Sequence, residues 1–274
     1  MDLKATTYDV SDQIATICLN RPHRGNAWTG RMHTEYRYLL DQAERDHHMR
    51  AIIVTGAGDR FCVGGVSIAL DGHSKSWSYD AGTAPDLVTP GDPSFESFRS
   101  DFAYHFALSK PVVAANNGAA AGVGLVLACY ADIRFAVPGA KLTTAHGPLN
   151  LPAEYGLSWV LPRLIGGARA TELLLSSRKF LTDEAQQIGL IHELVPANEL
   201  MSHTRAYVAD MITRVSPDAL MQSKRQTYLD YHRDVGSSVE EANRLLAEMV
   251  KHPNYKEAIS AFLEKRPAKW QILE

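Results

Sequence analysis

The segment from Lys110 to Gly124 constrains this chain most: an apolar strand, a turn and small residues lead into a helix. The apolar run from Val112 to Ala115 is typical of a strand buried on both faces, as in a parallel sheet. The turn Asn116-Asn117-Gly118 and the tiny residues after it lead to a predicted helix at 125–130. N–H groups in the first turn of a helix lack intrahelical partners, and glycine lets a ligand approach the backbone. The segment therefore predicts a site for a negatively charged oxygen.

A second copy of this pattern lies upstream, with Ala51 to Val54 as its apolar strand. Val63 lies 12 residues after Ala51, Val123 lies 12 residues after Pro111, and a glycine follows each valine. Two backbone N–H groups aimed at one point would form an oxyanion hole. Either turn alone is consistent with an ordinary strand–helix connection whose glycines allow close packing. The matched pair favours an oxyanion hole with Val63 and Val123 as donors.

Composition limits the class of protein. The chain has 274 residues, 45% of them hydrophobic, which is enough for one large domain with a helical extension. A net charge of −3 gives no reason to expect nucleic acid or an anionic membrane as a partner, and no apolar run is long enough to span a membrane. Three cysteines without paired spacing favour reduced thiols in a cytoplasmic protein over disulfides or a metal site. Cys62, beside the first glycine loop, is expected to be a small buried hydrophobe.

The character of the sequence changes near Pro196. Up to Val195 predicted strands and helices alternate, whereas Asn198 to Arg266 shows helical patterns only. We therefore predict a core at 1–196 and a helical region at 197–274. Ser216-Pro217-Asp218 predicts one helix start in this region, and Asn254 with Glu257 predicts another. The Pro- and Gly-rich stretch at 68–101 predicts a loop that flanks a site.

Ordered motifs over nearly the whole chain resemble those of the crotonase, or enoyl-CoA hydratase/isomerase, superfamily. The motifs are Leu19–Pro22 with Asn26-Ala27, Val54–Gly58 with Phe61–Gly65, Lys110–Ala115 with Asn117-Gly118, Gly122–Leu127, Ala131–Ala136 and Leu161–Gly166. The resemblance implies an α/β fold built as a spiral of ββα repeats, with a C-terminal helical region that forms trimers or hexamers. It also implies an acyl-CoA substrate and no separate cofactor, since coenzyme A is part of the substrate.

The resemblance implies that the N–H groups of Val63 and Val123 stabilise a thioester enolate. Hydratases of the superfamily place a water with two glutamates, but Val126 and His146 stand at those positions here. The two-glutamate mechanism therefore does not transfer. Glu154 lies eight residues past His146, an offset at which some isomerases and a dehalogenase of the superfamily place their working carboxylate.

Glu154 has mostly apolar neighbours in sequence, so burial should raise the pKa of its carboxyl and make it a better base. The alternative is a surface residue that begins the helix near Gly156. His146 could act as a second acid or base, orient the substrate, or be a histidine hydrogen-bonded within the wall of the site.

The resemblance also nominates residues for binding coenzyme A and the acyl group. Arg24, Asn26 and Ala27 are assigned to the pantetheine–nucleotide part of coenzyme A, and Val63 to Ser67 to the adenine and thioester ends. The candidates for substrate binding in the two glycine loops are Val63, Gly64, Gly65, Ser67, Gly122 and Gly124, and Tyr155 is a further candidate for the pocket. Residues ranked lower are Asp71, His73, His105 and, near a neighbouring subunit, Lys265 or Arg266.

The leading interpretation is an acyl-CoA enzyme that works through an enolate, with isomerisation favoured over two-glutamate hydration. A second is another reaction of the superfamily, such as C–C bond hydrolysis or dehalogenation, carried by His146 with Glu154. A third is an acyl-CoA-binding protein without turnover, which the missing glutamates motivate.

Overall fold

The computed structural model describes residues 1–65, 75, 82–83, 87 and 89–271. Ser67, Asp71 and His73, which the sequence nominated, lie outside these residues, as does much of the predicted loop at 68–101. The described residues form an α/β fold with two mixed sheets and C-terminal helices, so the predicted class is confirmed.

The strands divide between two sheets. They are β1 Thr6–Ser11, β2 Ile14–Leu19, β3 Ala51–Gly56, β4 Arg60–Cys62, β5 Val112–Asn116, β6 Ala119–Ala121, β7 Ile133–Ala136, β8 Lys141–Thr143, β9 Phe180–Leu181 and β10 Glu193–Leu194. One sheet has the order β1-β2-β3-β5-β7-β10 and the other the order β4-β6-β8-β9. Pairing is parallel except where β1 meets β2 and β9 meets β8. The successive pairs β3–β4, β5–β6 and β7–β8 each contribute one strand to either sheet, which is the ββ part of the expected repeat.

Helices cover the larger sheet and make up the C-terminal region. They are α1 Gly30–Arg45, α2 Val123–Tyr130, α3 Leu157–Ile165, α4 Gly167–Ser176, α5 Thr182–Gln187, α6 Leu200–Arg214, α7 Pro217–Leu229, α8 Val235–Met249 and α9 Pro253–Glu264. Short 3-10 helices lie at Pro22–Arg24, Glu96–Phe98, Ala103–Ala107, Gly147–Leu149, Glu154–Gly156 and Asp230–His232. No helix among the described residues is long and apolar enough to cross a membrane.

The core lies on both faces of the larger sheet because neighbouring side chains of a strand point in opposite directions. Ile52 and Val54 of β3 belong to the cluster that includes α1. Ile53 of the same strand belongs to a second cluster, with Val208 of α6. All residues of β3 and β5 are buried, which confirms the prediction of strands buried on both faces.

A buried ion pair fixes the C-terminal helices to the core. The carboxylate of Asp132 accepts hydrogen bonds from Lys224 Nζ (2.8 Å), from the Tyr228 hydroxyl (2.7 Å) and from the Val112 N–H (2.6 Å). Asp132 follows α2, whereas Lys224 and Tyr228 lie on α7. This one carboxylate therefore joins the central strand β5 to the helical region.

One predicted helix start is confirmed and one is wrong. Ser216 caps α7 by accepting a hydrogen bond from the Ala219 N–H. The last helix begins at Pro253, after His252, whereas Asn254 was the predicted cap. The Asn254 side chain instead bonds to Asp218 and to the backbone of Gln271, so it ties the chain end to α7.

Candidate active site

The two glycine loops meet side by side where β4 and β6 end. Gly64 and Gly122 both have positive φ, +95° and +49°, and a Cβ placed on Gly122 would lie 4.0 Å from Gly64 Cα. A Cβ on Gly124 would overlap the carbonyl oxygen of Cys62. Glycine is therefore required at these positions for the backbones to approach each other. The sequence prediction that the loops converge is consistent with this packing.

The register between the loops differs from the register between the strands before them. Strands β3 and β5 pair residues that are 60 positions apart. Cys62 of β4 pairs with Ala120 of β6, only 58 positions away, after a register shift within β4. If this register continues, Val123 lies opposite Gly65 and not opposite Val63.

Hydrogen bonding also distinguishes Val63 from Gly65. The Val63 N–H donates to the carbonyl oxygen of Gly25 (3.1 Å), so it is not free to bind a substrate oxygen. The Gly65 N–H has no acceptor among the described residues, and a Cβ placed on Gly65 would meet no described atom within 4 Å. Val123 is the first residue of α2, and within the described ranges its N–H also has no acceptor. Among the described residues of the two loops, Gly65 and Val123 thus have free amides.

The segment after β8 brings His146 toward the second glycine loop. The Gly122 N–H donates to the carbonyl oxygen of Thr143, and a Cβ on Gly122 would lie 3.9 Å from the Ala145 Cβ. His146 is 8% exposed, and its Nδ1 is buried without a hydrogen-bond partner in the part of the chain that the structure describes. A buried polar atom without a hydrogen-bond partner is costly, so Nδ1 of His146 is a candidate to contact a bound substrate.

Glu154 begins a short 3-10 helix that packs against α2. Burial raises the pKa of its carboxyl above 4.5, and the charge of His146 acts in the opposite direction. This is the direction that the sequence predicted. Among the described residues its carboxylate has no hydrogen bond or ion pair. Glu154 is therefore a half-buried, unpaired carboxyl group within electrostatic reach of His146.

Backbone strain is concentrated in the segment that carries these two side chains. Three non-glycine residues have positive φ: Ala145 (+60°), Asn150 (+55°) and Tyr155 (+53°). Such residues cost about 1–3 kcal/mol each and cluster at functional sites. The Tyr130 hydroxyl donates to the Tyr155 carbonyl oxygen (2.8 Å), which fixes the turn directly after Glu154. Sequence reasoning did not nominate Tyr130, because a tyrosine in an apolar helix resembles an ordinary core residue.

A cavity of about 480 Å³ adjoins this turn. Tyr155 and Gly156 form part of its wall, and most of the remaining wall is aromatic. Tyr155 also packs edge-on against Phe102, with ring centroids 5.1 Å apart. The cavity therefore begins one residue away from the candidate carboxylate.

In the loop between β2 and α1, the side chain of Asn26 is hydrogen-bonded to the backbone. Asn26 is completely buried, and its amide donates to the carbonyl oxygens of Ala57 and Arg60. Its side chain therefore holds backbone segments together and is not free for coenzyme A. Arg24 is exposed at the end of the 3-10 helix before it, and Ala27 is buried.

His105 and Cys62 are buried, and Lys265 and Arg266 lie at the C-terminal end of α9. His105 is fully buried, and burial lowers the pKa of its imidazole to about 3, while its ring contacts the Tyr36 hydroxyl (2.7 Å). Burial raises the pKa of the Cys62 thiol to about 12, which is consistent with an inert hydrophobe. Arg266 pairs with Glu257 (2.6 Å), and Lys265 ends α9 in an exposed position.

The arrangement can stabilise negative charge on an oxygen and move a proton nearby. Two unpaired backbone N–H groups lie on adjoining loops, and one of them begins a helix whose dipole favours an anion. A carboxyl group with a raised pKa is a suitable base for a weakly acidic carbon.

Comparisons with known proteins give one consistent family. The model of the family described as Enoyl-CoA hydratase/isomerase matches residues 9–272. The chain is 32% identical to the 1,2-epoxyphenylacetyl-CoA isomerase of Escherichia coli K12, over 94% of each chain. It is 29% identical to the short-chain-enoyl-CoA hydratase of Clostridium acetobutylicum, over 97% of each.

Solved structures agree. An enoyl-CoA hydratase from Bacillus anthracis is 25% identical and superposes with a TM-score of 0.84, covering 98% of this chain and 100% of that one. Fold, glycine loops and full-length sequence similarity thus lead to the same conclusion. The chain belongs to the enoyl-CoA hydratase/isomerase family, the crotonase superfamily.

Proposed function

We propose that this protein is an acyl-CoA enzyme that forms a thioester enolate and transfers a proton through Glu154. The observation that carries the proposal is the placement of Glu154, a half-buried carboxyl group without a partner among the described residues, on a turn packed against the helix that begins at Val123. In this proposal the N–H groups of Gly65 and Val123 bind the thioester oxygen. Gly65 thereby replaces Val63 as the first donor.

The proposed reaction is an isomerisation that moves a carbon–carbon double bond. The Glu154 carboxylate removes a proton from the α-carbon of a β,γ-unsaturated thioester. The electron pair moves into the thioester, and negative charge collects on the oxygen held by the two N–H groups. The protonated Glu154 then returns the proton to the γ-carbon, which leaves an α,β double bond and regenerates the base. One donor of this kind contributes about 3 kcal/mol to the transition state.

Relatives named for isomerisation and for hydration both match this chain. The residues of this chain at the two hydratase glutamate positions distinguish the two reactions. Val126, at the position of the first hydratase glutamate, is buried within α2 and has no titratable group. His146 occupies the position of the second. A single carboxylate suffices to carry a proton between two carbons, whereas hydration also needs a group that activates water. Isomerisation is therefore the favoured reaction.

The position of His146 supports a second candidate reaction, hydrolysis of a C–C bond or dehalogenation. The unpartnered Nδ1 of His146 could activate a water molecule or orient a leaving group beside Glu154. That pair would suit C–C bond hydrolysis or dehalogenation of an acyl-CoA. The two candidates differ in their need for water: isomerisation leaves the mass of the substrate unchanged, whereas hydrolysis and dehalogenation incorporate oxygen from water.

We also propose that the helical region at 197–274 mediates assembly into a homotrimer, or a hexamer of two trimers. Large apolar side chains are exposed on α8 and α9, including Val235 (82%), Phe262 (79%) and Leu263 (73%). Apolar groups exposed on neighbouring helices favour burial against another chain. Sedimentation equilibrium should give the mass of three or six chains, and a monomer at micromolar concentration would contradict the proposal.

The experiment has two parts. Calorimetry with a saturated acyl-CoA and its free acid should show binding of the thioester and much weaker binding of the acid. Turnover on a panel of β,γ- and α,β-unsaturated acyl-CoA esters, in water enriched in ¹⁸O, should yield products that contain no ¹⁸O. Products with ¹⁸O would show addition of water and would contradict isomerisation as the reaction, and binding without any turnover would indicate a non-catalytic acyl-CoA-binding protein.

A further inference from the structure

We infer that the cavity beside Glu154 receives a flat aromatic ring, so that the substrate is an aryl-substituted acyl-CoA and not a long flexible alkyl-CoA. The inference rests on the proposed function, because it assigns the acyl group of the same thioester. Its evidence is independent, since it comes from the walls of the cavity and not from the glycine loops.

The walls consist mainly of aromatic rings that support one another. Phe98, Phe106, Trp159 and His232 form a closed cycle of contacts, with successive ring centroids 5.8, 6.0, 5.9 and 6.4 Å apart. The ring planes within these pairs are inclined to each other by 17° to 79°, so both faces and edges of aromatic rings line the cavity. A bound ring could thus make the offset and edge-to-face contacts that aromatic groups favour.

These walls are held in place. The Arg163 guanidinium lies 3.9 Å from the centroid of the Trp159 ring. Tyr228 stacks on Phe106 at 3.9 Å and is itself hydrogen-bonded to Asp132. Tyr130 contacts Phe106 at 5.1 Å and is hydrogen-bonded to the Tyr155 carbonyl. A rigid, preformed cavity favours a rigid occupant, because an alkyl chain must lose torsional freedom to fill the same space.

The cavity adjoins the end of α2 that lies opposite the proposed oxyanion donor Val123. Val123 begins α2 and Tyr130 ends it, and Tyr130 lines the cavity. Eight residues of α-helix rise about 10 Å between their first and last residue. The acyl group of a thioester bound at the N-terminus of α2 would therefore extend along this helix to reach the cavity.

The cavity is also large enough to hold a substituted aromatic ring. An apolar protein cavity of about 150 Å³ holds benzene, and this cavity measures about 480 Å³. Exposed Ser97 and Ser100 lie at its rim, where they open it to solvent. The space would hold a substituted ring with its polar substituent toward the rim.

Phenylacetyl-CoA and octanoyl-CoA, which have acyl groups of eight carbons, provide the matched test by calorimetry on the full chain. We expect phenylacetyl-CoA to bind at least about tenfold more tightly. Equal or tighter binding of octanoyl-CoA would overturn the aryl assignment while leaving the proposed function intact. If neither thioester bound better than coenzyme A alone, both proposals would fail.

A cavity-filling variant tests the location. Ala103 lines the cavity, so a phenyl ring in Ala103→Phe should occupy the proposed ring position. Phenylacetyl-CoA affinity should fall at least about tenfold, whereas butyryl-CoA, too short to reach the cavity, should bind as to the wild type. Ala206→Phe, on the exposed face of α6, is the matched control and should change neither affinity. Unchanged phenylacetyl-CoA binding by a folded Ala103→Phe protein would contradict the location.

Discussion

The hydroxyl of Tyr130 donates a 2.8 Å hydrogen bond to the carbonyl oxygen of Tyr155. This bond links the last residue of α2 to the turn that carries Glu154, while the first residue of the same helix is Val123. A Cβ on Gly156 would lie 2.7 Å from the Tyr130 hydroxyl, so the turn has no room to shift toward α2. One helix therefore supports both a proposed oxyanion donor and the proposed base.

Tyr130→Phe should act on catalysis more than on substrate binding. The variant keeps the ring and loses one hydrogen bond of about 1 kcal/mol that orients the turn after Glu154. We expect kcat to fall by about tenfold, with KM changed by less than about threefold. Tyr36→Phe, which removes a buried hydroxyl contact with His105, is the control and should lower stability but not kcat. Equal losses of kcat in both variants would show that Tyr130 has only a structural role.

Proline substitution tests the two proposed N–H donors. Val123 is the first helical residue of α2, a position where proline is tolerated, so Val123→Pro removes the N–H with little disturbance of the helix. Turnover should fall by about two to three powers of ten, whereas Val123→Ala should be mild. Gly65→Pro should show the same loss, and Gly65→Ala should be mild because a Cβ there meets no described atom within 4 Å.

The same series distinguishes Gly65 from Val63. Circular dichroism and thermal melting must first show that each proline variant is folded. If alanine at Val123 were as damaging as proline, the side chain and not the amide would be the active group. If Val63→Pro abolished turnover in a folded protein and Gly65→Pro did not, the first donor would have to be sought at Val63 again.

Much of the fold could be predicted because its signals are local. The apolar runs at Ala51–Gly56 and Val112–Asn116 are long enough to indicate buried strands, and both are strands. The two-residue strands β9 and β10 and the edge strand β1 are weaker signals, since short strands depend on their neighbours. Asn254 was a misleading cap signal because its side chain bonds to a distant segment.

The sequence predicts residues of the site only where their spacing along the chain is kept in the paired strands of the structure. Spacing placed Val63 opposite Val123 because the strands before them are 60 residues apart. A register shift in β4 changes this offset, and such a shift depends on pairing with β6, which no single segment encodes. Asn26 was nominated by motif for a ligand, yet its burial commits it to the backbone.

Asp132 is expected to be essential for stability. Asp132→Ala would leave the Lys224 ammonium group buried without its partner, and removing one member of a buried pair costs about 3–5 kcal/mol. Urea unfolding followed by fluorescence should show this loss as a lower midpoint. Glu241→Ala, which breaks an exposed pair with Arg244, should leave the midpoint nearly unchanged. Equal midpoints for Asp132→Ala and the wild type would contradict the proposed anchoring.

The raised pKa of Glu154 predicts opposite effects of pH on activity and on stability. Only the ionised carboxylate can act as a base, so kcat/KM should rise with pH through a pKa above 4.5. The folded state favours the protonated form, so ionisation lowers stability as pH rises through the raised pKa. Glu154→Gln should therefore melt at a higher temperature than the wild type at neutral pH, and the difference should vanish near about pH 4. A lower melting temperature at neutral pH would contradict this sign.

The most direct test of the central claim is hydrogen exchange by wild type and Glu154→Gln in heavy water, followed by NMR of a β,γ-unsaturated acyl-CoA. The wild type should place deuterium on the α- or γ-carbon and shift the double bond. In Glu154→Gln both should fall by at least about two powers of ten, while a saturated acyl-CoA binds as before, because glutamine keeps the shape and cannot take the proton. Near-normal exchange by the variant, or a wild type whose hydration far exceeds its isomerisation, would contradict the assignment of Glu154 as the proton-transfer group.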